Sequence, residues 1–165
     1  MDIKEFVEKL SSYNLFNYFF PGLIFVAILM GTTHFNLYQN DVLIGVFLYY
    51  FIGLVISRIG SIVIEPVLWK IGFAKKNDIP KLIRIMKDNI KIELLYQVSN
   101  MYRTIASMFL VLTGLKGYDI IKHQELGYKN LSHLLLGILL FILFLFAFRK
   151  QNEYVYECVV TEPGK

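Results

Sequence analysis

The sequence predicts an all-α integral membrane protein, a four-helix bundle with two amphipathic helices on the cytoplasmic surface. Of its 165 residues 56% are apolar and only 18% are charged, against about 25% charged residues in soluble domains. No charged side chain occurs in residues 10–40, 42–57 or 130–148. Four segments approach the roughly 20 apolar residues that cross a bilayer. This composition excludes an ordinary soluble domain, a disordered tail and a basic nucleic-acid module, and the single cysteine excludes an intramolecular disulfide.

The first part of the single predicted domain, residues 1–165, combines a surface helix with a span. Apolar residues recur at helical spacing within residues 1–12, which predicts an amphipathic helix. The first span is predicted over residues 15–35. Pro21 cannot donate a backbone hydrogen bond to residue 17 and crowds its carbonyl group, so a kink is expected there.

The second predicted span, residues 42–66, carries small residues at four-residue spacings. Such residues allow two helix backbones to approach closely in lipid. We therefore predict a helix-packing stripe, within one chain or between two subunits. It consists of Gly45, Gly53, Ser57 and Ser61.

A basic connector, residues 70–96, follows the second span. Asp78 is a suitable N-cap for a helix over residues 79–94, which has one apolar face and one basic face. A basic amphipathic helix beside a span is attracted to anionic lipid, so we interpret the basic face as a membrane-surface or partner-binding surface. The alternative is a solvated helix that only joins two spans. The face consists of Lys81, Arg84, Lys87 and Lys91.

Two further spans complete the bundle. The third, residues 97–115, is the weakest because it contains polar residues, and the fourth, residues 131–148, is the strongest. The tail, residues 150–165, is expected to be frayed, with a strand added to a partner's sheet as the alternative.

The distribution of Lys and Arg predicts the orientation of the bundle. With the N-terminus inside, 14 basic residues lie on the cytoplasmic side and 3 lie outside. The excess of basic residues marks the cytoplasmic side, so we expect a cell inner-membrane protein with both termini in the cytoplasm.

One group of polar residues is predicted near the inner boundary. Ionisable groups in spans are costly and usually find partners. Asn17, Arg58, Glu65 and Arg103 form this cluster. We expect a structural clamp in which Arg58 competes with Arg103 for Glu65, and the alternative is a switch that a partner or ion displaces.

The sequence contains no signature of an enzyme, a metal site or a cofactor site. We therefore predict a non-enzymatic protein without a cofactor. His34, His123 and His133 are all expected at the outer face. Their spacing fits no metal motif, so we interpret them as scattered loop residues, with a pH or metal sensor as the alternative.

Two stretches carry a resemblance. They are the segment Tyr13-Asn14-Leu15-Phe16-Asn17-Tyr18-Phe19-Phe20-Pro21-Gly22 and the segment from Ser57-Arg58-Ile59-Gly60-Ser61 to Glu65-Pro66. They resemble short bacterial multi-pass proteins, similar to the membrane subunits of anti-phage defence systems such as Kiwa or the accessory proteins of RNA-targeting CRISPR loci. The resemblance implies antiviral defence and transfers no catalytic residue.

Together these features predict a membrane protein that self-associates and anchors or regulates a cytoplasmic partner. Its expected partners are the lipid bilayer, further copies of the chain and a cytoplasmic protein, with no direct contact to nucleic acid. A pore or channel is the first alternative. A small transporter is the second, although the first span lacks the buried acid typical of four-helix drug exporters.

Overall fold

The computed structural model describes residues 14–161, apart from the side chain of Asp88, and this part of the chain is helical without strands. The amphipathic helix predicted for residues 1–12 lies outside the described residues. The helices are α1 (Leu15–Thr32), α2 (Val42–Lys70), α3 (Ile79–Asp88), α4 (Ile90–His123) and α5 (Tyr128–Thr161).

The predicted all-helical fold is confirmed, and α1, α2, α4 and α5 are long and apolar enough to cross a membrane. The helices α4 and α5 each have 34 residues. At 1.5 Å per residue each is about 51 Å long, well beyond the ~30 Å of a hydrocarbon core. Both helices therefore extend past the predicted spans, 97–115 and 131–148.

Two prolines coincide with widened turns. The helix α1 opens with a π-helical segment, Leu15–Phe19, and α2 contains another, Gly60–Ile64. Pro21 and Pro66 each follow the last residue of such a segment by two positions. Proline lacks the N–H group and crowds the preceding turn, and a wider turn accommodates both effects. A π-helical turn therefore precedes Pro21, where the sequence predicts a kink.

An apolar core fills the middle of the bundle. It joins α1, α2 and α4, and partly buried side chains of α5 pack against it. Its buried members are Phe25, Val26, Leu29, Ile56, Met108, Phe109 and Leu112.

The helix predicted over residues 79–94 is divided in the structure. Asn89 has an extended backbone and ends α3. Its side chain accepts a hydrogen bond from the backbone N–H of Lys91 at 3.1 Å, which caps the start of α4. Residues 90–94 therefore belong to the third long helix and not to the connector.

The end of α5 packs against α3 and the start of α4, and we call this unit the helical extension. Its buried residues are Leu82, Ile85, Ile92, Val155 and Val159.

The expectation of a frayed or strand-forming tail is wrong for the described residues, because α5 continues to Thr161. The buried Asn152 holds the loop before α3. Its Oδ1 accepts a hydrogen bond from Asn77 Nδ2 at 2.9 Å, and its Nδ2 donates to the Lys75 carbonyl at 2.7 Å.

Candidate functional site

The predicted basic face lies on the helical extension, but it is divided between two helices: α3 carries Lys81, Arg84 and Lys87, and the start of α4 carries Lys91. Arg84, Lys87 and Lys91 are exposed and Lys81 is half-buried. Among the side chains that the structure describes, none of the four forms an ion pair with an acid. The arrangement presents positive charge on a surface that the packed extension holds in place.

The apolar face of α3 is covered mainly by protein. Leu82 is only 1% exposed because Val155 and Val159 of α5 lie against it. Ile79 and Ile83 remain exposed at 45% and 47%. These two residues are therefore the part of the apolar face that is left for contact with lipid or with a partner.

Two positions of the predicted small-residue stripe contact other helices of the same chain. A Cβ atom on Gly53 would lie 1.7 Å from the Tyr18 carbonyl oxygen of α1. Ser57 Oγ accepts a hydrogen bond from Thr104 Oγ1 of α4 at 3.1 Å. These two positions of α2 thus contact two different helices of the same bundle.

The other two stripe positions make no close contact between helices. A Cβ atom on Gly45 would meet only ordinary contacts, 3.6 Å or more from the side chains of Gln39 and Tyr49. Ser61 donates a hydrogen bond to the Arg58 carbonyl within α2. Gly60 makes a contact that the stripe did not include, since its Cβ atom would lie 2.4 Å from Ser107 Oγ.

Within the predicted polar cluster, Arg103 of α4 forms an ion pair with Glu65 of α2. Both side chains are largely buried, at 10% and 16% exposure. Glu65 is thus paired with Arg103 and not with Arg58, which is exposed. Asn17 is buried in the π-helical start of α1. The ion pair joins α2 and α4, as the predicted clamp requires.

A second polar constellation lies at the opposite end of the bundle, which we call the histidine end. His34 follows α1, and Asp119 and His123 lie one turn apart in the last turns of α4. His34 Nδ1 is 3.1 Å from Asp119 Oδ1, and His123 Nε2 is 3.8 Å from the same oxygen. The two imidazole rings lie against each other with their centroids 4.1 Å apart.

Lys116 lies next to the second oxygen of the Asp119 carboxylate. Its Nζ is 3.7 Å from Asp119 Oδ2 and donates to Asn130 Oδ1 of α5 at 2.9 Å and to the Thr32 carbonyl at the end of α1. Lys116 and Asp119 are both buried, with side chains 7% and 4% exposed. One lysine thus ties the ends of three helices together.

The interpretation of the histidines as scattered loop residues is wrong for His34 and His123. The signal that could have located half of this site is local: Asp119 and His123 are four residues apart, which places them on one helix face. His34 lies 85 positions from Asp119, and no local pattern links them. His133 is separate, in α5, where it lines an apolar pocket of about 160 Å³ with Thr113 and Lys116.

In comparisons with family models, curated proteins and solved structures, nothing matched this chain.

Proposed function

We propose that this chain is a non-enzymatic, multi-pass inner-membrane protein that anchors or regulates a cytoplasmic partner, with both termini in the cytoplasm. The observation that carries the proposal is the helical extension. It is a packed unit with its own apolar core, and it continues directly from two of the four helices that are long enough to span a membrane.

The length of α5 supports an extension that stands outside the bilayer. Its uncharged stretch, 130–148, ends at Arg149 and Lys150. The following residues to Thr161 extend the helix by about 17 Å at 1.5 Å per residue. Basic side chains at this boundary favour the cytoplasmic face of a membrane, and the segment beyond them is available to a soluble protein.

The charge of the extension supports an acidic partner. Lys81, Arg84, Lys87 and Lys91 lack acidic partners among the described side chains. A complementary acidic surface would be steered to them and held in register. Anionic lipid headgroups attract the same residues with about 1 kcal/mol each, so the experiment has to distinguish a lipid product from a protein product.

The middle of the bundle supports an anchor and not a pore formed by one chain. Buried Phe25, Leu29, Phe109 and Leu112 pack there in one apolar core. An ion crossing through a single chain would have to pass this layer, where charge is strongly disfavoured.

Self-association and a role in antiviral defence are also part of the proposal. The resemblance to membrane subunits of anti-phage systems supports the defence role. Self-association would use a surface other than Gly53 and Ser57, since both contact helices of their own chain. The mass of the protein in detergent, compared with 19.3 kDa for one chain, tests it.

A site-specific crosslinking experiment tests the anchor. A photoreactive amino acid replaces Arg84 on the extension or, as the matched control, Ile121, which is 79% exposed at the histidine end. We expect a crosslinked soluble protein at position 84 and not at position 121. Replacing Lys81, Lys87 and Lys91 by Glu should abolish that product.

A control at the opposite end tests whether charge alone decides the result. Lys122→Glu with Lys129→Glu changes two exposed lysines there and should leave the product unchanged. The proposal is wrong if position 84 crosslinks only to lipid, or if the same soluble proteins appear at both positions.

A further inference from the structure

Three potential metal ligands converge at the histidine end from two separate parts of the chain. Each of His34, Asp119 and His123 offers one ligand atom, and these atoms all lie within 4.8 Å of one another. Asp119 is buried and the two histidines are exposed. The set is therefore accessible to an ion from the solvent, while its carboxylate is shielded from water.

The distances from the Asp119 carboxylate to the two histidines are close to those of a first-row transition-metal site, and the two histidine nitrogens lie within 4.8 Å of each other. Zinc binds histidine nitrogen and carboxylate oxygen at about 2.0–2.2 Å with tetrahedral geometry, which places neighbouring ligand atoms roughly 3.3 Å apart. The Asp119 Oδ1 atom lies 3.1 Å from His34 Nδ1 and 3.8 Å from His123 Nε2. Shifts of a few tenths of an ångström would bring both of these pairs to the required separation, and rotation of the two exposed imidazole rings would adjust the distance between their nitrogens.

Charged residues flank two of the three ligands. A ligating histidine usually presents its second ring nitrogen to a carboxylate, which fixes its orientation. The second nitrogen of His34, Nε2, lies 3.8 Å from Glu125 Oε1. Lys116 lies beside Asp119 Oδ2 and leaves Oδ1 directed at the two histidines.

We infer that His34 Nδ1, Asp119 Oδ1 and His123 Nε2 form a binding site for a divalent transition-metal ion, with Zn²⁺ as the best probe. Two imidazoles and one carboxylate favour such ions over Mg²⁺ and Ca²⁺, which prefer all-oxygen sites. The three residues leave a fourth tetrahedral position to water or to another ligand. A bound ion would link the loop after α1 to the end of α4.

The same contacts would also arise from a hydrogen-bonded network without a metal, in which His34 donates to Asp119. Metal titration distinguishes the two arrangements. The full chain is purified in detergent without a polyhistidine tag and titrated with Zn²⁺ by calorimetry, with Mg²⁺ as a comparison. We expect one Zn²⁺ per chain, no measurable Mg²⁺ binding, and a rise in the melting temperature with Zn²⁺.

Variants assign the ligands. His34→Gln and His123→Gln should each weaken Zn²⁺ affinity at least tenfold. The matched control is His133→Gln, because His133 lies in α5 and lines a different pocket; it should bind Zn²⁺ like the unchanged protein. Circular dichroism and the melting temperature without metal show whether each variant is folded.

A spectroscopic measurement covers the case in which a ligand variant fails to fold. X-ray absorption of the unchanged protein with one equivalent of Zn²⁺ should show nitrogen and oxygen ligands at 2.0–2.2 Å, including imidazole. Absence of stoichiometric binding overturns the inference. A zinc ion without imidazole among its ligands would also overturn it. Equal loss of affinity in His34→Gln and His133→Gln would do the same.

Discussion

Gly22 of α1 and Gly53 of α2 lie against each other's helix at backbone contact. A Cβ atom on Gly22 would be 1.8 Å from the Tyr49 carbonyl oxygen, and one on Gly53 would be 1.7 Å from the Tyr18 carbonyl oxygen. Both distances are far shorter than a van der Waals contact. The two helices approach this closely because neither glycine carries a side chain, which is the close packing that small residues permit in membranes.

Gly53→Ala should destabilise the protein although alanine favours helices. In an open helical position Gly→Ala stabilises by up to about 1 kcal/mol. At Gly53 the added methyl group must displace backbone, and overpacking typically costs about 1–3 kcal/mol or more. Thermal unfolding in detergent should show a lower melting temperature.

Gly45→Ala is the matched control, because a Cβ atom there meets only contacts of 3.6 Å or more. It should leave the melting temperature unchanged or raise it. The four-residue spacing predicts one packing stripe that contains both glycines, and the structure separates them. Equal melting temperatures for the Gly53 and Gly45 variants would contradict the close contact between α1 and α2.

The ion pair between Glu65 and Arg103 predicts coupled effects of mutation. Glu65→Gln and Arg103→Gln each leave one largely buried charge without its partner, which is strongly destabilising. The double variant removes both charges, so its loss should be smaller than the sum of the single losses, with a coupling of roughly 0.5–3 kcal/mol. Chemical unfolding in detergent measures the cycle.

Arg58→Gln serves as the comparison in the same cycle, since Arg58 is exposed. Its effect should be small and additive with Glu65→Gln. Coupling of Glu65 to Arg58 and not to Arg103 would contradict the ion pair in the structure.

The four long helices could be predicted because each contains an apolar stretch of the length that a bilayer requires. The third of them, α4, has the weakest apolar signal in the sequence, and this has a physical cause. Half of the most apolar 18 residues of α4 are buried, against 6% in α5. Ser99, Asn100 and Thr104 make α4 less apolar, and all three face protein. The most apolar helix is the one most exposed to the surroundings, where lipid is expected.

The histidine end could not be predicted in the same way. Helical periodicity relates residues three or four positions apart, so it can place His123 beside Asp119. It contains no information on how the loop after α1 folds back to bring His34 to α4. The burial of Lys116 was missed for a related reason: its partners Thr32 and Asn130 belong to other helices.

Val155 should be essential to the helical extension. It is fully buried beneath α3, whereas Val160 in the same helix is 57% exposed. Val155→Ala removes buried methyl groups and should cost about 1–3 kcal/mol, and Val160→Ala should stay within about 0.5 kcal/mol. Hydrogen exchange of α3 amides should accelerate in the first variant only. Equal exchange in both variants would mean that α5 does not hold α3.

The orientation of the bundle is tested by labelling cysteines in intact cells. In a background with Cys158→Ala, single cysteines replace Asn36 or Leu126 at the histidine end, or Lys76 beside the helical extension. Because 14 of the 17 basic residues are expected on the cytoplasmic side, an impermeant maleimide should label positions 36 and 126 from outside. Position 76 should be labelled only after lysis.

The outcome also fixes the side of the membrane to which each proposed site belongs. All three labelling positions are exposed in the structure, so failure to react reports the membrane barrier and not burial. Labelling of position 76 alone in intact cells would reverse the orientation, and the helical extension could then not meet a cytoplasmic partner. Labelling of positions 36 and 76 from the same side would mean that α2, which joins them, does not cross the membrane.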